Sequence, residues 1–281
     1  MPYPNLQDFL AALETEGELK RITQPISPFL EVAALADRAS KSAAPNPSAT
    51  ATQFDPTHAH LGGPALLCEN VTGSSIPLAI NTFGSYRRVE LALGCSEGGF
   101  EALAQSIENL VKPQPPSGIM EKMKKGLELA KIASFAPKIV RSAPCQQNVI
   151  LGQDINLLEL PIIKCWPQDG DPSAFGYPFP LQQPGQGRYI TLGAIFTIHP
   201  DDLGKPEGTP RPSRNIGMYR AQILDEKTTA MHWHIHHDGA RHWRAWKEHN
   251  EKHGTHEQGM PCAIVLGGES VFIYEDRYRV V

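Results

Sequence analysis

Cysteine is scarce in this chain and carries no pattern. The five thiols, at positions 68, 95, 145, 165 and 262, are scattered, odd in number and without a CxxC. That excludes a zinc ribbon and a disulfide framework, and a reducing cytoplasm is the expected setting. Charge of one sign is missing as well. The net charge is −4 and the pI near 6.3, and no polybasic run offers a footing to nucleic acid or an anionic membrane. No apolar run approaches the length of a membrane span. The opening residues, Met1-Pro-Tyr-Pro-Asn-Leu-Gln-Asp8, lack the apolar core of a signal peptide. There is no internal repeat and no GxxxxGK, so Gly62-Gly63 is only superficially a phosphate loop. What is present is globular in kind: 281 residues, 41% hydrophobic, mean hydropathy −0.31. That length suits two modest domains or one large one. With 25 prolines and 24 glycines the chain is loop-rich, which favours mixed or β structure over a helix bundle.

Asn5 is placed to cap a helix carrying Leu6, Phe9, Leu10 and Leu13, stopped near Gly17. Glu18–Ile22 reads as a strand. Ser27-Pro28 reads as the start of a second helix reaching about Ala39. Residues 41–60 are small, polar and proline-bearing, which predicts an exposed insertion. Pro64–Glu69 and Pro77–Asn81 are apolar runs fitting buried strands, and Glu101–Val111 is expected to be helical. Lys112–Ser117 is a proline-rich break, and Ile119–Phe135 has the pattern of an amphipathic helix with Lys122, Lys124, Lys125 and Lys131 on its wet side. Residues 1–135 therefore read as an N-terminal α/β domain with a helical connector at 119–135.

Beyond Asn148 the texture turns to short strands. These are Asn148–Gly152, Leu160–Ile163, Arg188–Ile198 and Pro261–Gly267, the last expected to be buried. A loop over 168–187 and a helix over Arg241–His253, with Trp243 and Trp246 near one side, complete the pattern. Short strands with polar connections suggest an antiparallel barrel or sandwich over 136–268. The strands are too few to close a barrel comfortably, and 269–281 reads as an atypical tail.

The most informative stretch is Asn215-Ile-Gly-Met-Tyr-Arg220 followed by Met231-His-Trp-His-Ile-His-His-Asp-Gly239. Both halves alternate around the polar break at 225–227, as strands with two distinct faces do. A hairpin with Leu224 opposite Thr228 puts Tyr219, Ala221 and Ile223 on one face with Thr229, Met231, Trp233 and Ile235. The other face carries Met218, Arg220 and Gln222 against His232, His234 and His236. A cation and imidazoles gathered on one wall call for an acidic ligand or a metal. Asn215, His237 and Asp238 meet at the open end.

These stretches resemble the UbiD family of decarboxylases, together with Gly17-Glu-Leu-Lys-Arg-Ile22, Gly62-Gly-Pro-Ala-Leu-Leu-Cys-Glu-Asn70, Ala143-Pro-Cys-Gln-Gln147 and Leu160-Pro-Ile-Ile-Lys-Cys-Trp-Pro167. The motifs run in family order along nearly the whole chain. The resemblance implies an α+β fold: an N-terminal α/β domain, then a split β-barrel of flavin-reductase type, here incomplete, because the family continues past Gly268. It implies a carboxy-lyase using prenylated FMN with a divalent metal such as Mn2+, and K+. The reaction implied is reversible, non-oxidative decarboxylation of an aromatic or α,β-unsaturated carboxylic acid, such as a polyprenyl hydroxybenzoate in quinone biosynthesis. Partners implied are the small carboxylic acid, a flavin prenyltransferase as cofactor supplier, and further copies of the chain. Carried over residue by residue, Asn215 and His236 match the metal ligands. Met218, Tyr219, Arg220, His232, Trp233, His234, His237 and Asp238 match cofactor contacts with Asn215. Arg220 matches the catalytic arginine facing the substrate carboxylate. The family's acidic metal ligand and proton donor match nothing in this sequence.

Blander readings compete. Composition alone favours a solvated histidine face, and Tyr219 and Trp233 suit a core. Cys145 and Cys165 suit buried small residues. A metal-only, cupin-like enzyme using His232, His234 and His236 is one rival, although no Glu stands at a familiar spacing. A non-catalytic remnant, or a subunit that pairs with a separate C-terminal half, is the other.

Overall fold

The computed structural model describes residues 2–95, 97–111, 118, 140–171, 173, 176, 187–206, 209, 213–256 and 258–271. Helix α1 (Leu6–Thr15) starts where Asn5 caps it: the Asn5 side chain accepts from the Asp8 amide at 2.9 Å. That occupies one of the donors a helix N-terminus leaves open. Phe9 and Leu13, one turn apart, are fully buried. Strand β1 (Leu19–Ile22) then lies parallel to β2 (Ala65–Cys68), and β3 (Leu78–Ile80) pairs antiparallel on the far side of β2. A parallel pair needs a crossover. It runs through α2 (Glu31–Ser40) and the short α3 (Ala51–Phe54), and α4 (Tyr86–Leu93) and α5 (Gly99–Val111) follow β3. Phe9, Leu13, Ala65 and Ala92 form one apolar cluster, and Ile26, Val32, Cys68 and Val71 another.

One expectation fails in this half, and another needs an addition, since 41–60 is mostly exposed but anchored at four buried residues. Helix α2 begins at Glu31, not at Ser27-Pro28. The Ser27 hydroxyl accepts from Phe29 N, and the Glu31 carboxylate reaches back to accept from Ser27 N at 2.8 Å. Phe29 is meanwhile bridged to Lys164, so this segment is held outside the helix. Nor is 41–60 simply an exposed insertion. Ala44, Ser48, Ala51 and Ala59 are buried. Asn46 N donates to Glu18 Oε1 at 2.9 Å and Ser48 Oγ to Glu90 Oε1 at 2.7 Å. Two buried carboxylates need donors, and this polar stretch supplies them. The expected helix at 119–135 and most of the tail fall outside the described residues.

The second half is antiparallel throughout its described ladders. One three-stranded sheet has the order β4 (Tyr189–Ile190), β7 (Ala221–Ile223), β8 (Thr229–Met231). The other has the order β6 (Asn215–Met218), β5 (Ala194–Thr197), β9 (Cys262–Val265). Both are small and open, within a mixed α+β architecture. Ile162, Ile190, Ala221 and Ile223 form their core, with Met231 and Ile264 against it. Helix α6 (Asp238–His253) begins three residues before the expected Arg241. Gly239, His242, Trp246 and Asn250 recur at helical spacing on its buried face, whereas Trp243 is exposed.

Several expected strands differ. Asn148–Gly152 is not a strand, and Val149, Ile150 and Leu151 are exposed. Leu160–Ile163 lies outside the named strands although Ile162 reaches the core. Pro161 carries no amide for a ladder there. The run Arg188–Ile198 breaks into β4 and β5 at Thr191–Gly193. Pro261–Gly267 contains β9, but Cys262, Ala263 and Val265 on it are exposed, so apolar composition here marks the margin of a sheet and not a buried strand.

Candidate active-site cleft

The segment Asn215–Ile223 changes sheets part-way: β6 pairs with β5, while β7 pairs with β4 and β8. Tyr219 and Arg220 sit at the crease. Tyr219 folds back over Gly217, where a Cβ would stand 2.4 Å from the ring carbon Cζ, so only glycine leaves room. The Tyr219 ring meets Trp233 edge-on, with centroids 5.9 Å apart, and His237 at 5.1 Å. Its hydroxyl accepts from Gly239 N at 3.4 Å. Gly239 in turn has no Cβ to strike the Trp233 indole. One aromatic side chain thus ties the crease to the histidine loop and to the first turn of α6.

The register expected from alternation is present at the turn, where Leu224 N donates to Thr228 O at 2.9 Å and Ile223 pairs with Thr229. It persists to His232, whose amide donates to Arg220 O at 3.1 Å. Beyond that the expected return strand does not form, because β8 ends at Met231. Residues 232–237 are a loop running into α6, and Ile235 is exposed where a core position was expected. The chain turns at the crease: β6 leaves the plane of β7 and β8 to join β5 in the other sheet, and residues 233–237 do not follow it as a strand.

Beside this crease an open cleft of about 560 Å³ is lined by Thr191, Leu192, Met218, Tyr219, Arg220, His232 and His237. Five of the expected contact residues are therefore brought to one place. Thr191 and Leu192 were not anticipated. The only hint is the glycine at 193, where a Cβ would crowd Ile190 and Ile264, breaking a strand at its cleft end. Burial holds the Tyr189 phenol above its ordinary pKa and the Asp169 charge pushes the same way, against the pull of Arg220. Arg220 itself is exposed to the cleft side.

The remaining expected residues stand elsewhere. Trp233 backs Tyr219. His234 and His236 share the loop, with rings 5.0 Å apart, and the His234 amide donates to His237 Nδ1 at 3.0 Å. Asp238 is the first residue of α6 and pairs with Arg241 at 3.0 Å. Asn215 is buried at the start of β6, directly paired with Thr197. Its Nδ2 donates to Thr197 Oγ1 at 3.3 Å, and that hydroxyl is 2.9 Å from His242 Nδ1. All three side chains are nearly inaccessible, and burial holds the His242 imidazole below its ordinary pKa. This buried polar chain across β6, β5 and α6 carried no signal in the sequence beyond the helical spacing of His242.

The cleft fits a flavin in size and chemistry. It lies within the volume range of small-ligand pockets, and it combines an aromatic ring and two apolar side chains with a guanidinium and two imidazoles. A metal fits less well. A carboxamide oxygen and an imidazole are ligand types a divalent cation takes. Yet no group of three His, Cys, Asp or Glu suited to a metal is gathered among the described residues. Asn215 and His236 alone do not complete a metal centre.

The family described as 3-octaprenyl-4-hydroxybenzoate carboxy-lyase Rift-related domain matches residues 138–275, and the corresponding N-terminal domain matches residues 10–107. An uncharacterized protein of Aquifex aeolicus is 37% identical over 272 residues, covering 97% of this chain and 45% of that protein. Among solved structures, the closed form of Sedimentibacter hydroxybenzoicus vanillic acid decarboxylase superposes with a TM-score of 0.64. It shares 22% identity and is matched over 99% of this chain and 46% of that one. An evolved dimeric form of the UbiD-class enzyme HmfF from Pelotomaculum thermopropionicum, in complex with prFMN, gives a TM-score of 0.54. It shares 22% identity over 95% of this chain and 45% of that one. The chain spans about half the length of these relatives. No helix among the described residues is long and apolar enough to cross a membrane.

Proposed function

The chain belongs to the UbiD family of carboxy-lyases, and from that premise we propose that its cleft binds prenylated FMN and an aromatic or α,β-unsaturated carboxylic acid for decarboxylation. The observation that carries this reading is the convergence of Arg220, His232 and His237 with Tyr219 and Met218 on one cleft. The bound flavin supplies the electron sink for loss of CO2. This chain's residues do the rest. The Arg220 guanidinium, planar and permanently charged, holds the substrate carboxylate as a bidentate fork. Tyr219 and Met218 form the apolar wall on which a ring lies. His232 and His237 donate hydrogen bonds to anionic oxygens at the rim. Tyr219 fixes His237 by ring contact and, through Gly239, the start of α6. No carboxylic acid that could return a proton to the substrate carbon is among the described lining residues.

We propose further that the substrate is a polyprenyl hydroxybenzoate, that the complete architecture is a split barrel, and that the chain assembles with further copies. The metal-only rival loses ground because the described residues gather no three-ligand group. The test is decarboxylation of a panel of aromatic and cinnamate-like acids by protein co-expressed with a flavin prenyltransferase. Arg220→Ala is expected to abolish turnover while the fold and its melting temperature stay unchanged. Unchanged CO2 release by that variant would overturn the assignment of Arg220.

A further inference from the structure

Away from the cleft, the last turns of α6 carry an arrangement that the proposed reaction does not use. His249 and His253 stand four residues apart on one helix face, their rings stacked with centroids 4.2 Å apart and planes inclined by 29°. A carbonyl oxygen only accepts, so the 2.7 Å contact between His253 Nδ1 and His249 O makes Nδ1 the protonated nitrogen of His253. In the neutral ring that leaves His253 Nε2 with its lone pair free. A ligating histidine is held in this way, with its other ring nitrogen donating to a carbonyl. His249 is half-buried and packs edge-on against Trp246, whose ring lies 5.6 Å away, so its rotamer is supported from beneath. Trp246 is itself fixed by donating Nε1–H to Ile198 O at 2.8 Å.

We propose that His249 and His253 form a surface site for a borderline divalent transition cation, of the zinc, cobalt, nickel or copper class, with water in the remaining positions. Two nitrogens on a tetrahedral cation at zinc–imidazole distances stand roughly 3.3 Å apart. The rings stand close enough for side-chain rotation out of the stack to converge their in-plane lone pairs on one cation. Two histidines at i and i+4 on one helix face are a spacing that chelates metal. A last-turn histidine bonded to a carbonyl also suits a helix C-terminus with no metal at all. The experiment separates the two.

The full chain, with its exposed thiols Cys145 and Cys262 alkylated, is titrated with Co2+ while histidine ring protons are followed by NMR. The expected result is that His249 and His253 signals shift together and saturate at one equivalent. His253→Gln and His249→Gln should each weaken this step by about ten-fold or more, with the circular dichroism unchanged and the response of the 232–237 histidines unaltered. Because His253 is exposed, the first variant is expected to fold. The proposal is overturned if the two rings are untouched at excess Co2+, or if either variant binds at that step as tightly as the parent.

Discussion

Arg88→Met tests how the first half of the molecule is held. Arg88 and Glu18 are fully inaccessible and pair at 2.9 Å. The Arg88 guanidinium also donates to Gly62 O at 2.9 Å and to Gly63 O. Glu18 takes its other contact from Asn46 N at 2.9 Å. Removing the cation leaves Glu18 charged and buried with one amide donor, and takes the Arg88 donor from Gly63 O, while Gly62 O keeps the Asn81 Nδ2 donor at 2.8 Å. Breaking one side of a buried pair costs about 3–5 kcal/mol, because the remaining charge is uncompensated. For a chain of this size that corresponds to a fall in melting temperature of roughly 6–20 °C. The assay is thermal and urea unfolding followed by circular dichroism, with Arg87→Met as control. Arg87 pairs with Glu16 at the surface and is expected to lose under about 1 kcal/mol. The reasoning is refuted if Arg88→Met unfolds within about 1 kcal/mol of the parent. That result would mean that water or rearrangement satisfies Glu18 at no cost.

Other consequences are sharp enough to measure. Gly217→Ala drives a methyl into the Tyr219 ring and should cost about 1–3 kcal/mol. A flavin titration should show weakened binding, because the displaced ring lines the cleft. Trp246→Ala removes the buried anchor of α6 and should cost about 3–5 kcal/mol by urea unfolding. His242 is held neutral by burial, so its folded pKa lies below the unfolded one. Between those two values the unfolded chain binds the extra proton. Stability should therefore fall as the pH drops below about 6.5. In His242→Gln the slope of unfolding free energy against pH should flatten in that window. Asn5→Ala should cost about 1 kcal/mol through loss of the α1 cap.

Much of this was legible in residues whose physics is local. Asn5 before an apolar stripe announces a cap, and the alternation around 225–227 fixes the pairing of Leu224 with Thr228. Where distant partners decide, the sequence is silent. Nothing local says that β6 leaves the hairpin for β5, so the return strand at 232–237 was expected and a loop is found. Nothing in the composition of 41–60 says that the buried Glu18 and Glu90 will recruit its amide and hydroxyl donors. Pro261–Gly267 is apolar enough for a core, yet β9 lies at the margin of its sheet with most side chains exposed. For the cleft, alternation grouped Met218, Arg220 and His232 on one wall. Tyr219 joined them only through the crease, and Asn215 went to the opposite side of β6 beside Thr197 and His242.

The central claim is that this cleft holds a flavin, and one preparation tests it most directly. The chain is purified after co-expression with a flavin prenyltransferase, and its absorption spectrum and native mass are recorded beside those of Gly217→Ala. The account predicts a flavin-like chromophore, one prenylated flavin mass per chain, and a marked loss of both in the variant. A colourless parent of bare polypeptide mass, or a variant that retains the full cofactor load, would contradict it.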